Sequence, residues 1–592
     1  MKLLLAFAAA FSLLSPLLST APAASATLPP NFIVILVDDL GRHDLGCYGS
    51  TFHQTPHLDK LAAQGMRFTQ AYSACTVCSP TRAALLTGKY PARLHVTDWI
   101  EGHKRPFAKL KVPEWTMHLP ANERTIAAAL KAAGYATASI GKWHLGGPEF
   151  APEKFGFDVN LGGTHRGQPP SYFSPYGIAT LPDGPKGEYL TDREAAEAVK
   201  FIEANKEKPF FLYLPHHAVH TPLQAKKEVV EKYRARIKPG SGQTNAVYAA
   251  LLESVDDSLG RITAKLDELK LTERTVILFT GDNGGLIGPT SNAPLRVGKG
   301  SAYEGGVAVP LIVRWPNAIA AGSVNTTPVM TVDFAPTLLE LANLKPAAGQ
   351  ISDGVSLAPL IKGGTNAARP LFWHYPHYHP GGATPYGAIR DGDFKLIEFY
   401  ENGRRELYNL KEDPREAVSL TEKQPDKASA LGNKLDAWRR NVGAQMPLPN
   451  PDYRPNPQAA DGSLLLHSRS AEVHGAMLRY EPQPNKNTLG FWTRATDWAS
   501  WDFTVTKPGE FTIEALQGCG KGSGGAEVEF AIGDQKRMMI VQDTGHFQNF
   551  IPRDLGTVKI EKVGVHTLTV RPKSKPGVAV MDLRQVTLKS VK

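Results

Sequence analysis

Cys78 opens the run Cys78-Ser79-Pro80-Thr81-Arg82-Ala83-Ala84-Leu85-Leu86-Thr87-Gly88-Lys89. Pro80 suits the first turn of a helix and Gly88 suits its end. Cys78 then sits at a helix N-terminus, where unsatisfied N–H groups and the dipole favour negative charge. Arg82 follows one turn later and can share that face. A nucleophile and a cation at a helix start suit reaction with an anionic ester. Spacing alone is served about as well by a small buried cysteine on a capped helix. A redox Cys75-x-x-Cys78 pair is a third reading. Structural zinc needs a second such pair, and the chain has only four cysteines, the others being Cys47 and Cys519.

Other reactive residue types come in clusters. Asp38, Asp39, Asp282 and Asn283 offer oxygen ligands only, the preference of hard cations such as calcium or magnesium. Each pair alone also reads as a helix cap or a tight turn. Lys142, His144, His216, His217 and His220 add cations and bases. Each cluster follows a short apolar run, at 32–37, 136–140, 210–214 and 276–279, with helical patterns at 123–133 and 247–269 among them. That alternation predicts an α/β fold with a doubly wound, mostly parallel sheet. Ligands of such sheets bind beyond the carboxyl ends of the strands. Four polar clusters at four strand exits are therefore expected to converge on one site.

The Cys78 run resembles the modification motif of the type I sulfatase family, C-x-P-S-x-R followed by T-G-R. Thr81 stands where serine is usual and Lys89 where arginine is usual. Val37-Asp38-Asp39-Leu40-Gly41 resembles the family's first metal-binding strand, and Gly281-Asp282-Asn283-Gly284 its second metal pair. Gly141-Lys142-Trp143-His144-Leu145-Gly146 is similar to its lysine–histidine loop, and His220-Thr221-Pro222 to its later histidine. Pro294-Leu295-Arg296-Val297-Gly298-Lys299-Gly300, followed by Glu304-Gly305-Gly306, resembles its late lysine loop, with Ala308 where many members carry arginine. The motifs stand in family order over roughly residues 30–440.

This resemblance implies an alkaline-phosphatase-like fold and hydrolysis of sulfate esters. It implies that a formylglycine-generating enzyme converts Cys78 to formylglycine. It further implies one calcium ion, magnesium remaining open, held by Asp38, Asp39, Asp282, Asn283 and the Cys78 side chain. In the family a hydroxyl of the hydrated aldehyde attacks sulfur, and a metal makes such a hydroxyl a competent nucleophile. Lys142 and Lys299 would neutralise sulfate oxygens, and Arg82 would support the hydrated aldehyde. His220 is the candidate acid for the leaving oxygen, with Lys299 as a partner. His144 is the candidate base for release of sulfate. Asp38 or Asp282 could instead assist the attack. His216 and His217 read as structural or supporting residues. The segment Trp373-His374-Tyr375-Pro376-His377-Tyr378-His379 resembles one in bacterial sulfatases of sulfated polysaccharides, which makes His377 and His379 candidate substrate contacts.

With 592 residues the chain should form more than one domain. Residues 1–26 read as a signal peptide, with an apolar stretch ending at Ala24-Ser25-Ala26. The apolar stretch is too short and too interrupted for a spanning helix, so no stable membrane anchor is expected. The mature protein is expected to be exported, to periplasm or medium. A catalytic α/β domain is expected over 27–345, a small antiparallel subdomain over 346–445, a Pro- and Asn-rich linker over 446–469, and a β-sandwich over 470–592. The last loosely resembles carbohydrate-binding modules, with Trp492, Trp498, Trp501 and Phe547 as a sugar platform or, for most of them, as core. A net charge of +9 fits a polyanionic partner and an ordinary basic exported protein equally well. The expected partner is a sulfated saccharide, not nucleic acid. Two alternatives stay open: a phosphodiesterase or phosphonate monoesterase on the same scaffold, and an inactive binder of sulfated glycans.

Overall fold

The computed structural model describes residues 28–591 apart from 103, 104, 106, 107, 239–241, 454, 476 and 482–485, so the expected signal peptide lies outside the described residues. Among them, no helix is long and apolar enough to cross a membrane.

An eight-stranded sheet carries the first half of the chain. Its order is Ser323–Asn325, Met66–Phe68, Leu311–Arg314, Thr275–Gly281, Asn31–Val37, Phe210–His216, Ala136–Ile140 and Val159–Leu161. Neighbours run parallel except at Leu311–Arg314, which opposes both of its partners. Both faces are buried, which explains why the central strands read as unbroken apolar runs. Phe32, Val34 and Leu36 point to one layer, with Leu85, Leu130 and Leu338 from three helices. Ile33, Ile35 and Val37 point to the other, with Leu61, Ile202 and Leu252. The sheet is thus doubly wound.

Register aligns the strand exits. Val37 pairs with His216 on one side and Gly281 on the other, so Asp38, His217 and Asp282 leave the sheet at one level. Gly141 fixes the fourth exit. It has φ +117°, and a Cβ there would lie 2.1 Å from the Pro215 carbonyl oxygen, so only glycine fits.

Leu371–Tyr375, Tyr386–Asp391, Phe394–Phe399 and Arg405–Asn409 form an antiparallel sheet in chain order. The helix Pro425–Val442 packs on it, and both share a core with Tyr72, Cys75 and Val77 beside the Cys78 run. Two further antiparallel sheets enclose one apolar core near the C-terminus. The last strand is Asp582–Ser590. Within the stretch read as linker, Leu448–Pro449 pairs with Leu110–Lys111, and the Asn450 amide donates to the Lys109 carbonyl. Leu464–His467 already pairs with the last strand. The composition reads as linker, yet several of its amides find partners, those of Tyr453, Gln458 and Ala459 among them.

Trp492 and Trp501 are fully buried in the C-terminal core, their indole N–H groups donating to the Asp497 and His467 carbonyls. Neither can face a sugar. His474 stacks on Trp498 and the Arg571 guanidinium lies 3.2 Å from the Trp498 ring centroid, while Phe547 is half-buried.

Candidate active site

Cys78 begins the helix Cys78–Thr87, which ends at Gly88 with φ 72°. Thr81 explains its own departure from the serine pattern. Its hydroxyl accepts from the Cys75 amide and lies within bonding distance of the Cys75 and Val77 carbonyls, pinning the turn before Cys78. A serine hydroxyl would do the same. Lys89 keeps its charge and pairs with Glu123. Burial pushes the Cys75 thiol up to about 12 and raises Cys78 as well. Both thiols are buried and unbridged, whereas redox dithiols need an accessible thiolate, which argues against the redox reading.

Around Cys78 the four strand-exit clusters meet. Asp38, Cys78 and Asp282 each present one ligand atom within 4.8 Å of the others, and so do Asp38, Asp39 and His220. Arg82 is wholly buried among the carboxylates. Its Nε and Nη2 donate to Asp282 Oδ2 at 3.1 and 2.7 Å, and its Nη1 to the Lys142 carbonyl at 2.8 Å. Lys142 pairs with Asp38 Oδ2, and Lys299 with Asp39 Oδ1 at 2.6 Å. Asn283 Nδ2 donates to Asp39 Oδ1 at 2.7 Å, which turns its carbonyl oxygen the other way.

Three buried oxygens in this cluster have no hydrogen-bond partner: Asp38 Oδ1, Asp39 Oδ2 and Asn283 Oδ1. Buried polar atoms are rarely left so, and three oxygens beside a fourth acid suit a hard cation. Although burial opposes ionisation, Lys142, His220 and Arg82 hold Asp38 well below the usual carboxylate range. Burial, with the Asp38 charge beside it, pushes Asp282 up to about 7. Arg82, Lys142 and Lys299 nevertheless pair one for one with Asp282, Asp38 and Asp39, so the case for an ion rests on the unpartnered oxygens. The donor set fits a divalent ion.

The two candidate bases differ. His144 is buried at φ 56°, its Nε2 3.3 Å from the Ile100 carbonyl and its Nδ1 without a partner. Burial and the Lys142 charge lower its pKa well below the usual range. His220 Nδ1 donates to the Thr221 carbonyl at 2.8 Å, leaving Nε2 facing Asp39 Oδ2 at 3.7 Å. Burial pulls His220 down to about 4, so the ring is neutral near pH 7. Burial disfavours the Lys299 charge, but Asp39, Cys78 and Asp38 outweigh it and keep Lys299 protonated.

His379 lies against Gly300, next in the chain to Lys299. His377 is further in, its Nε2 2.8 Å from Thr97 Oγ1 and its ring edge-on to Trp115. His216 and His217 both bond Glu194, each Nδ1 at 2.6 Å from one carboxylate oxygen. Glu194 was missed, although it was legible: it falls on the apolar face of the helix Leu190–Ala204, between Leu190 and Ala198. Asn292 was missed too. It grips the Gly285 amide and carbonyl, and the Lys299 amide donates to the same carbonyl, tying both loops together. Nothing in its sequence neighbourhood marks it.

Comparison with known proteins places this constellation. Residues 30–344 match the Sulfatase family, and residues 297–440 match the family described as N-sulphoglucosamine sulphohydrolase, C-terminal. A sulfatase of Formosa agariphila is 34% identical over 515 residues, covering 72% of this chain and 92% of its own. The human N-acetylgalactosamine-6-sulfatase is 35% identical over 382 residues, 60% of this chain and 69% of that protein. The crystal structure of Ps i-CgsB in complex with k-i-k-neocarrahexaose is similar with a TM-score of 0.61 at 29% identity, covering 72% of this chain and 94% of that one. The chain belongs to the sulfatase family and is a sulfuric ester hydrolase of alkaline-phosphatase-like fold.

Proposed function

We propose that this enzyme removes sulfate from sulfated saccharides, using a formylglycine made from Cys78 beside one divalent cation, calcium in preference to magnesium. The observation that carries this reading is the clustering of Asp38 with Cys78 and Asp282, and of Asp38 with Asp39 and His220, together with the buried, unpartnered oxygens of Asp38, Asp39 and Asn283. Asp38, Asp39, Asp282 and Asn283 would hold the ion, together with the modified Cys78 side chain. When present, the ion and the hydrated aldehyde supply an activated hydroxyl nucleophile.

The chain's own residues account for the rest. Lys142 and Lys299 hold ammonium groups where sulfate oxygens gather charge. Arg82 fixes Asp38 and Asp282 in place. Lys299 carries a proton that can reach the leaving oxygen. His220 starts neutral, and a sulfate anion beside it would raise its pKa, making it a second donor. His144 keeps Nδ1 free to take a proton when sulfate is released. The saccharide assignment draws on the names of the relatives and on His379 beside the Lys299 loop, with His377 as its support. Export to periplasm or medium belongs to the same reading, as do the domain limits expected above with the sandwich beginning at Leu464.

Sulfate release from defined sulfated saccharides and an aryl sulfate tests it, with protein co-expressed with a formylglycine-generating enzyme and Cys78→Ala as control. Release that vanishes in the control supports the proposal. Faster turnover of a matched phosphate diester would shift it to phosphodiester chemistry. Binding without any turnover, the aldehyde being verified by peptide mass, would leave a glycan binder.

A further inference from the structure

A cleft of about 960 Å³ lies at the junction of the sulfatase body and the C-terminal sandwich. One wall is the loop 287–297 and the other is formed by sandwich residues including Met477, Phe491 and Arg494, with Arg415 also lining it. The two walls are built for close approach. Gly288 has φ +107°, and a Cβ there would meet Arg479 Nη2 at 3.1 Å and Phe491 Cζ at 3.4 Å.

The cleft's unbalanced charge is positive. Arg415 and Arg494 are exposed, and neither forms an ion pair among the described residues. Arg479 stands at the edge with its guanidinium 3.4 Å from the Phe491 ring centroid. Burial pulls Arg479 down to about 10, and the acid nearest it in charge, Glu481, pairs with Lys486. The lining acids are engaged elsewhere. Asp497 accepts the Met477 and Leu478 amides, and Glu416 accepts the Glu304 amide and pairs with Lys395. Arg296 is engaged too, donating to Tyr408 and the Glu416 carbonyl.

The remaining surface suits a sugar more than a peptide or a nucleic acid strand. Met477 and the part of the Phe491 ring that Arg479 leaves uncovered are half-buried apolar surface for ring C–H groups, while Thr290 and Thr496 line the same space. Among the described lining residues no second aromatic ring is present for a stacked run of bases. The wall loop is also the loop that carries Lys299. Val297 is two residues away, so its Cα lies within about 7.6 Å of that of Lys299. The loop's inner side is clamped to Gly285 through Asn292.

We infer that this cleft is an exosite for a sulfated stretch of the substrate polymer, distinct from the sulfate group being cleaved, held by Arg415 and Arg494, with Arg479 backing the Phe491 wall. The inference rests on the proposed saccharide substrate. A polymer gripped there keeps neighbouring sulfate groups at raised effective concentration around the catalytic pocket.

The test separates binding from turnover. Hexasaccharides of chondroitin 6-sulfate and of ι-carrageenan are titrated by calorimetry into calcium-loaded Cys78→Ala protein, with and without Arg415→Ala plus Arg494→Ala. The expected result is a Kd about tenfold higher for at least one hexasaccharide, with a flatter salt dependence. Active enzyme carrying the two arginine changes should turn over 4-nitrophenyl sulfate within about twofold of the parent. Equal affinities, no binding of either hexasaccharide by the parent, or an equal loss on the aryl sulfate would each overturn the exosite. Displacement by a phosphodiester oligonucleotide as readily as by saccharide would also overturn it. Failure of the sulfatase reading shows separately, as absent sulfate release from aldehyde-bearing parent protein.

Discussion

Replacing Lys395 by methionine should destabilise the fold by about 3–5 kcal/mol near neutral pH and slow catalysis from a distance. The Lys395 ammonium is wholly buried, 2.9 Å from Glu304 Oε1 and 3.0 Å from Glu416 Oε1. Removing it strands two buried carboxylates beside each other. Burial and the Glu304 charge already push Glu416 up to about 7. Burial disfavours the Lys395 charge, but the two glutamates raise its pKa. Its contribution is therefore full below the lysine's unfolded value and is lost only as pH rises through the folded one. Despite burial, Lys395 and Arg390 lower Glu304, so that contribution is present above about pH 4.5 and is lost as pH falls through the folded value. Glu416 works the other way, its ionisation costing stability as pH climbs towards 7. The penalty of the substitution should thus be largest between about pH 5 and 10 and shrink towards about 1–2 kcal/mol in acid. Glu416→Gln in the Lys395→Met background should recover part of the loss.

The catalytic effect follows from position. Glu304 opens the short helix Glu304–Val307. That helix returns to the Lys299 loop through the Gly305 amide, which donates to the Arg296 carbonyl at 3.0 Å. A shift of about 1 Å at a catalytic group can cost about a hundredfold, and the anchor is one step removed, so kcat should fall about tenfold. Guanidinium unfolding at two pH values and aryl sulfate kinetics would measure both effects. A loss below about 1 kcal/mol, or an equal loss in acid and at neutral pH, would refute the reasoning.

Chelation should lower the melting temperature and abolish turnover, and calcium should restore both better than magnesium. At a calcium concentration one hundred times Kd the expected gain is about 2.7 kcal/mol, read by thermal shift. Cys78→Ser should abolish sulfate release in protein matured by a formylglycine-generating enzyme while shifting the melting temperature by under about 2 °C. His144→Ala should slow product release more than the first attack, seen as a burst of alcohol followed by a slow steady state. Gly141→Ala should cost about 3 kcal/mol, because its Cβ would lie 2.1 Å from the Pro215 carbonyl oxygen. Chemical unfolding would show a smaller value if the loop can move aside.

The four strands leading to the site were legible because strands buried on both faces must be continuously apolar, and their exits were marked by residues that no core accepts. The Cys78 helix was legible from Pro80 and Gly88. The antiparallel strand Leu311–Arg314 inside the parallel sheet was not, since a buried strand reads the same in either direction. The buried triad of Lys395, Glu304 and Glu416 was also hidden, because its members are joined across 91 and 112 positions and each alone reads as a surface charge. Trp492 and Trp501 show the converse case. An aromatic in an alternating strand is equally a sugar platform or a core side chain until the second sheet covers it.

The least legible feature is the backbone of the site itself. Asp39, His144 and Val297 have φ values of 59°, 56° and 59°, a region that side chains other than glycine rarely adopt and that β-branched valine least tolerates. Local preference cannot place them there. Long-range bonds hold the first two: the Asp39 amide donates to Asp282 Oδ1, the Val219 amide to the carbonyl of neighbouring Asp38, and the His144 amide to the Thr164 carbonyl. Each bond joins segments far apart in sequence, so the strain exists only once the sheet has brought the strand exits together. Backbone strain of this kind costs about 1–3 kcal/mol per residue and persists where the surroundings over-determine it. Here it falls on one carboxylate, one imidazole and the approach to one lysine of the site, and the eight-stranded sheet supplies the stability that holds them.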